Sequence, residues 1–508
     1  MNHLSPTSLI RTPTPTLLTK PTMASIFTVT FSFIVIAFTT IFLLGNSHIH
    51  HQSPEWFKNI LNNRSQFPSY LFGTKSNNGA GRLFDKKSNS PFLQNGPALA
   101  PSASNSPVLQ NQNGPALAPS ESNSNVTKSS YSTSLPAKKK KMNWLEKMSK
   151  CDIYEGKWVR DDSPPLYERG SCRHIDESFN CYLNGRPDYG YEKFRWQPNH
   201  CNIPRLDGRK MLRFFRGKRI VYVGDSLNRN MWDSMVCLLT NSVKNKSRVF
   251  EASGKTEFKK EGAYAFLFPD YNFSVEYIRS AFLVQESEVP VKNGTKETLR
   301  LDLIEKSYGT YKDADVLIFN TGNWWTHEKT SEGKGYYQEG DHVHEKLDVV
   351  EAFDRAMATW ARWVEANVDP MKTHVFFRSY TLSHFSKGEW NSGGQCDDKE
   401  PIKDDKDLLR LDELSPPIPL MLENSLKKVK APVSYLNVTR MTNYRQDAHP
   451  SLYRKPNMTQ EEKQEFQTHQ DCSHWCLPGV PDTWNQLLFA QLLLQHKQRQ
   501  WNHTNNVS

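Results

Sequence analysis

One run, Ala24–Leu44 (ASIFTVTFSFIVIAFTTIFLL), carries no charged residue and is long enough to cross a hydrocarbon core of roughly 30 Å as a helix. It decides the compartment in which the rest of the chain folds, and so which covalent chemistry is open to it. Arg11 and Lys20 precede the run and no acidic residue occurs before Glu55, so the positive flank stays cytosolic and everything beyond Leu44 is lumenal. A cleaved signal peptide would show a shorter apolar stretch, roughly 7–15 residues, followed by a small-residue cleavage site. The expectation is a single-pass type II membrane protein with a cytosolic tail at 1–23 and a signal-anchor helix at 24–44.

Residues 45–141 are rich in Ser, Asn, Pro and Gln with few periodic apolar positions, so they bury too little surface to offset their chain entropy. They read as a disordered lumenal stem. Within it LQNGPALAPSASNS (Leu93–Ser106) recurs as LQNQNGPALAPSESNS (Leu109–Ser124), a duplication too short and polar for a solenoid. The block Lys138–Lys141 reads as a solvated hinge. The catalytic domain is expected at 142–501, with a short tail at 502–508.

All eight cysteines fall inside that domain: Cys151, Cys172, Cys181, Cys201, Cys237, Cys396, Cys472 and Cys476. In an oxidising lumen an even count argues for four disulfides, and residue order alone leaves 105 pairings open. Their spacings do not match the usual zinc-binding pairs, and no metal is expected. Sequons at Asn63, Asn125, Asn245, Asn272, Asn293, Asn437, Asn457, Asn502 and Asn506 agree with lumenal exposure. The net charge of +10 suits an acidic polysaccharide, or is simply a solvated basic surface. Nucleic acid is excluded as a partner by the compartment.

Short apolar runs read as buried parallel strands: Arg219–Val223, Ala314–Phe319, Thr373–Phe377 and Val433–Leu436. Leu227, Met231, Met235 and Leu238 share one helical face, as do Phe353, Met357, Trp360 and Val364, and the segment around Trp484, Leu487 and Leu488 continues the pattern. Strands alternating with helices imply an α/β sandwich.

The first strand runs directly into Gly224-Asp225-Ser226 and then into a helix, which places Ser226 where open α/β sheets put their sites. The helix N-terminus there can stabilise an oxyanion on a carbonyl attacked by Ser226; read blandly, Ser226 is an N-cap. Near the other end of the chain, Asp471 and His474 stand three apart in DCSHWC and can share one face of a helical turn. Asp471 would hold one imidazole nitrogen while the other takes the Ser226 proton. Asn320-Thr321-Gly322-Asn323-Trp324-Trp325 follows a predicted strand to the same sheet edge, where Asn320, Gly322 and Asn323 could complete an oxyanion hole. Trp324 and Trp325 either stack on sugar rings or belong to the core. Arg229, on the helix after Ser226, either orients the site, binds an acidic sugar or is an ordinary helix charge.

Together GDSLNRNMW (Gly224–Trp232), NTGNWWTH (Asn320–His327), WNSGGQC (Trp390–Cys396) and DCSHWCLPGVPDTWN (Asp471–Asn485) resemble the plant trichome-birefringence-like family of polysaccharide O-acetyltransferases. The resemblance spans about Lys150–Leu494. It implies an SGNH/GDSL-hydrolase-like α/β/α sandwich with a mostly parallel sheet, stabilised by disulfides, and residence in the Golgi membrane. It implies a catalytic triad of Ser226, His474 and Asp471, and the disulfides Cys151–Cys201, Cys172–Cys237, Cys181–Cys476 and Cys396–Cys472. The implied reaction is acetyl transfer to a cell-wall polysaccharide, xylan or pectin foremost, with no bound cofactor and acetyl-CoA or a derived donor as co-substrate. The sequence departs from the family pattern at Asn323, where His is common, and at Ser379, where Gly is. An esterase with the same triad, or a non-catalytic protein that binds pectin through Trp324 and Trp325, are the alternative readings.

Overall fold

The computed structural model describes residues 144–506, apart from 255–261, 327, 404, 407 and 409–416. The expected anchor at 24–44 and stem at 45–141 lie outside the described residues. Among the described residues no helix is long and apolar enough to cross a membrane.

In chain order the strands are β1 (Gly156–Arg160), β2 (Phe194–Pro198), β3 (Arg219–Gly224), β4 (Phe250–Glu251), β5 (Ala263–Phe268), β6 (Phe273–Arg279) and β7 (Val284–Val291). They continue as β8 (Gly294–Ile304), β9 (Val316–Phe319), β10 (Tyr337–Glu339), β11 (His342–Val343), β12 (His374–Arg378) and β13 (Val433–Leu436). Seven of them form the central sheet in the order β13-β12-β9-β3-β6-β5-β4. The four strands read from the sequence pair in parallel there, and β6 joins β3 in parallel as well.

The sheet is mixed, however, because β5 and β4 add antiparallel at one edge. The hairpin between β5 and β6 turns through Pro269–Tyr271, with Asn272 in the left-handed region at φ 51°. Asn tolerates that conformation better than most residues. Two smaller sheets lie outside the central one: the antiparallel pair β1–β2, and the long antiparallel β7–β8 hairpin, to which β10 adds parallel to β8 and β11 antiparallel to β10.

Alternation along β3 builds two cores. Ile220 and Tyr222 face a layer containing the helices α1 (Gly208–Phe214), α2 (Ser226–Ser242) and, at the far end of the chain, Val480–Asn506. Val221 and Val223 face the other layer, which holds Val349–Asn367 and Ile418–Lys428. Burial on both sides explains why this strand is an unbroken apolar run rather than an alternating one. The sheet grows away from β3 in both directions, towards β6 on one side and β9 on the other, so β3 is the topological switch point.

Four disulfides join Cys151–Cys201, Cys172–Cys237, Cys181–Cys476 and Cys396–Cys472, the pairing that the family resemblance implies. Two of them end within the same short segment, Cys472–Cys476.

Candidate active site

The end of β3 can meet the end of β9 only because residue 224 is Gly. A Cβ there would stand 1.9 Å from Asn320 Oδ1 and 2.6 Å from the Asn320 carbonyl oxygen. That approach lets Asn320 clamp the following residue twice: Asp225 N–H donates to Asn320 Oδ1 (3.1 Å), and Asn320 Nδ2 donates to Asp225 Oδ1 (2.7 Å). The same Asp225 oxygen accepts from Leu227 N–H at 2.9 Å, so Asp225, not Ser226, is the N-cap of α2. Ser226 is the first helical residue, half-buried, with its hydroxyl turned out of the cap. Tyr277 completes the turn by donating to the carbonyls of Gly224 and Asp225.

The partner groups arrive from the other end of the chain. Asp471 pairs with Ser451 in an isolated antiparallel bridge, and its Oδ1 accepts from the backbone N–H of Ser473 (3.2 Å) and His474 (3.0 Å). The segment is therefore a turn closed on an Asp side chain, not the helical turn the three-residue spacing predicts. In it His474 Nδ1 lies 3.0 and 2.9 Å from the two Asp471 oxygens, and His474 Nε2 lies 2.7 Å from Ser226 Oγ. An ionised carboxylate only accepts, which assigns the proton to Nδ1 and leaves Nε2 to receive the serine hydroxyl hydrogen.

Burial opposes ionisation of Asp471, but His474, Arg454 at 3.7 Å and the backbone donors outweigh it and hold its pKa well below the usual carboxylate range. The carboxylate that faces His474 Nδ1 thus stays anionic.

Three further contacts fix the histidine. Asn230, one turn after Ser226 on α2 and fully buried, accepts from Trp475 N–H (2.8 Å) and donates to its carbonyl (3.1 Å). The helix that carries Ser226 thereby also holds the neighbour of His474. Phe179 packs on the imidazole with ring centroids 5.1 Å apart. Behind the turn, His449 Nδ1 donates to the His474 carbonyl (2.6 Å), while its other nitrogen meets His384 Nδ1 at 2.6 Å. Burial pushes both of these imidazoles down, His384 to about 4.

The remaining predicted residues separate. Asn320 is buried and spent on the Asp225 clamp. Gly322 follows at the same edge with φ 145°, where a Cβ would come within 2.6 Å of the Tyr380 ring. Asn323 donates through Nδ2 to the Thr381 carbonyl at 3.2 Å. Trp325 is a core residue: it is 3% exposed, donates to Thr321 Oγ1 at 2.9 Å and packs edge-on against Phe282 and Phe353. It is unavailable for sugar stacking. Trp324 is half-buried beside the site. Arg229 forms an ion pair with Asp176 at 2.8 Å and lies over Phe179, bracing the ring that packs on His474.

Sequence reasoning missed Asn230, His449 and His384. Asn230 carried the one available signal, a polar residue four positions after Ser226 and hence on the same helical face.

Residues 203–491 match the GDSL/SGNH-like acyl-esterase family found in Pmr5 and Cas1p, and residues 149–202 match the PMR5 N-terminal domain. Among curated proteins of Arabidopsis thaliana, the chain is similar to protein trichome birefringence-like 1 (57% identical over 357 residues), protein trichome birefringence (55% over 357) and protein trichome birefringence-like 4 (52% over 355). The matched stretches make up 69%, 70% and 69% of this chain and 63%, 58% and 77% of those proteins. The chain therefore spans less than two thirds of the length of the first two. A family match over more than half of the chain, joined to a fold with a serine at its switch point, settles the membership: the chain belongs to the trichome-birefringence-like family, and its folded domain is of the GDSL/SGNH-like acyl-esterase type.

Proposed function

We propose that this domain is a serine acyltransferase that moves acetyl groups onto hydroxyls of a plant cell-wall polysaccharide, xylan or pectin foremost, from the lumenal side of the Golgi membrane. The observation that carries the reading is the continuous relay from Ser226 Oγ through His474 to Asp471.

The reaction runs in two displacements. His474 Nε2 takes the hydroxyl proton as Ser226 Oγ attacks the acetyl carbonyl of the donor. The oxyanion formed is met by the N–H of Ser226 at the start of α2 and by the Gly322–Asn323 backbone. Collapse expels the donor's leaving group, which takes the proton back from His474, and leaves acetyl-Ser226. A sugar hydroxyl then gives its proton to His474, attacks the acetyl carbonyl and departs as the acetyl ester while Ser226 regains its hydrogen. Acetyl-CoA or a derived acetyl donor serves as co-substrate, with no bound cofactor.

Water in place of the sugar would make the same relay an esterase, and the acyl-esterase description of the matched family keeps that outcome within the test. The full-length protein is incubated with acetyl-CoA or a simple acetyl ester and deacetylated wall oligosaccharides, with Ser226→Ala alongside, and products are read by mass. Acetylated oligosaccharide from the Ser226 protein alone is expected. Free acetate without acetylated sugar would replace transfer by hydrolysis, and equal products from both proteins would end the serine mechanism.

A further inference from the structure

The segment Trp390–Cys396 plays no part in the relay, yet it is built with unusual care. Ser386 and Gln395 exchange two backbone hydrogen bonds of 2.8 Å, Gly394 N–H donates to the Glu389 carbonyl at 2.9 Å, and Glu389 N–H donates to Ser392 Oγ at 2.8 Å. A Cβ on Gly394 would stand 2.5 Å from the Gly388 carbonyl oxygen, so the loop closes on itself at glycines. Both of its ends are tied to the turn that carries His474: His384 N–H donates to the Cys472 carbonyl (3.0 Å), and Cys396 is bonded to Cys472.

At the tip of this braced loop stands Trp390, 46% exposed. An exposed indole contributes little to the core, and here a rigid arm holds it out. Beside it is Lys329, whose Nζ lies 5.8 Å from the Trp390 ring centroid and 4.6 Å from that of Trp324. Lys329 Nζ also reaches the Asn323 carbonyl at 3.4 Å, which joins this patch to the loop at the nucleophile's edge. Arg279 approaches Trp324 at 5.4 Å, supplying a second cation. Burial lowers the Lys329 pKa from its ordinary value, opposed first by the charge of Asp225 next to the nucleophile and then by Glu328.

An indole face takes the apolar C–H face of a pyranose ring, and an ammonium held against aromatic rings takes a carboxylate. We propose that Trp390 and Lys329, with Trp324 and Arg279 beneath them, form an acceptor subsite for a hexuronate unit of the polysaccharide, its ring on Trp390 and its carboxylate on Lys329. The subsite rests on the transferase reading for its role but not for its existence, because binding can be measured without turnover.

The test uses the full-length Ser226→Ala protein, which binds without reacting, titrated calorimetrically with tetragalacturonate and with neutral xylotetraose. Tetragalacturonate is expected to bind more tightly, by a margin that shrinks as salt is raised. Adding Lys329→Gln lowers the acidic-over-neutral preference about fivefold, the scale of one exposed charge contact, and Lys329→Arg keeps it. Adding Trp390→Ala weakens both oligosaccharides about tenfold, whereas Trp390→Phe retains most of the affinity. No preference for the acidic sugar, or a preference untouched by Lys329→Gln, overturns the subsite. Transfer assays on the Ser226 protein separate the two ideas. Acetylation that is indifferent to Lys329 and Trp390 defeats the subsite and leaves the transferase; Lys329-dependent uronate binding without any transfer does the reverse.

Discussion

Replacing Asn230 by Ala tests whether the helix bearing the nucleophile also positions the base. The side chain is fully buried and makes both of its hydrogen bonds to the backbone of Trp475, the residue after His474. Truncation removes both bonds and strands an N–H and a carbonyl away from water, at about 1–3 kcal/mol for each group left unpaired. The expected loss of stability is therefore about 2–6 kcal/mol, read as a lowered midpoint in thermal or urea unfolding. Catalysis should suffer separately. A displacement of about 1 Å at a catalytic group costs on the order of a hundredfold, so kcat for a simple acetyl ester should fall by about that factor with KM little changed. Asn230→Asp keeps an acceptor for the Trp475 N–H but turns a carboxylate oxygen towards its carbonyl, and should be at least as damaging. If Asn230→Ala unfolds earlier while its kcat matches the parent, the clamp is structural only and the two disulfides at Cys472 and Cys476 suffice to place His474.

Asp471→Asn would offer an amide N–H to His474 Nδ1, favouring the tautomer with hydrogen on Nε2, which cannot accept from Ser226; kcat should drop by about 10³–10⁴-fold with the fold intact by circular dichroism. The pH dependence of stability has two arms. Burial raises Asp482 from 3.8 to about 6 despite donors from Ser234, Tyr167 and Gly479. A raised carboxyl contributes stability that is present below its unfolded pKa and lost as pH rises through its folded value, here roughly 3 kcal/mol. The depressed Asp471 acts oppositely, contributing above the ordinary carboxylate pKa and failing as pH falls beneath it. The melting temperature should thus rise from pH 7 to pH 5 and fall below about pH 4; a steady decline from pH 7 downwards would refute the assignment to Asp482.

The central strands and the Gly-Asp-Ser elbow were legible because burial on both faces leaves a run such as Ile220–Val223 with no polar residue. The strand beside it was not, because Glu276 sits in the middle of β6. That carboxylate is buried and bonded twice at 2.7 Å by Arg219, so the pair masks a core strand as an amphipathic one. The β7–β8 hairpin was missed for a different reason: its residues alternate between exposed and covered, and a search for apolar runs passes over it although Asn293-Gly294 marks its turn. At the site, Ser226, His474 and Asp471 could be read because short motifs carried them. Trp325 could not be told from Trp324, since period and composition do not say which of two adjacent indoles points inward. The Asn230 and Asn320 clamps depend on partners 245 and 95 residues away, distances at which a single sequence gives no pairing signal.

The bond between Cys181 and Cys476 spans 295 residues, and His474 lies 248 residues beyond Ser226. As the chain is synthesised, Cys181 is made with Cys151, Cys172 and Cys201 around it, while its native partner follows only 295 residues later. The nucleophile is made early and stays without its base throughout that interval. Closure of this native crosslink requires synthesis as far as Cys476, so the oxidation step that ties the two ends of the domain together comes after the chain has received His474.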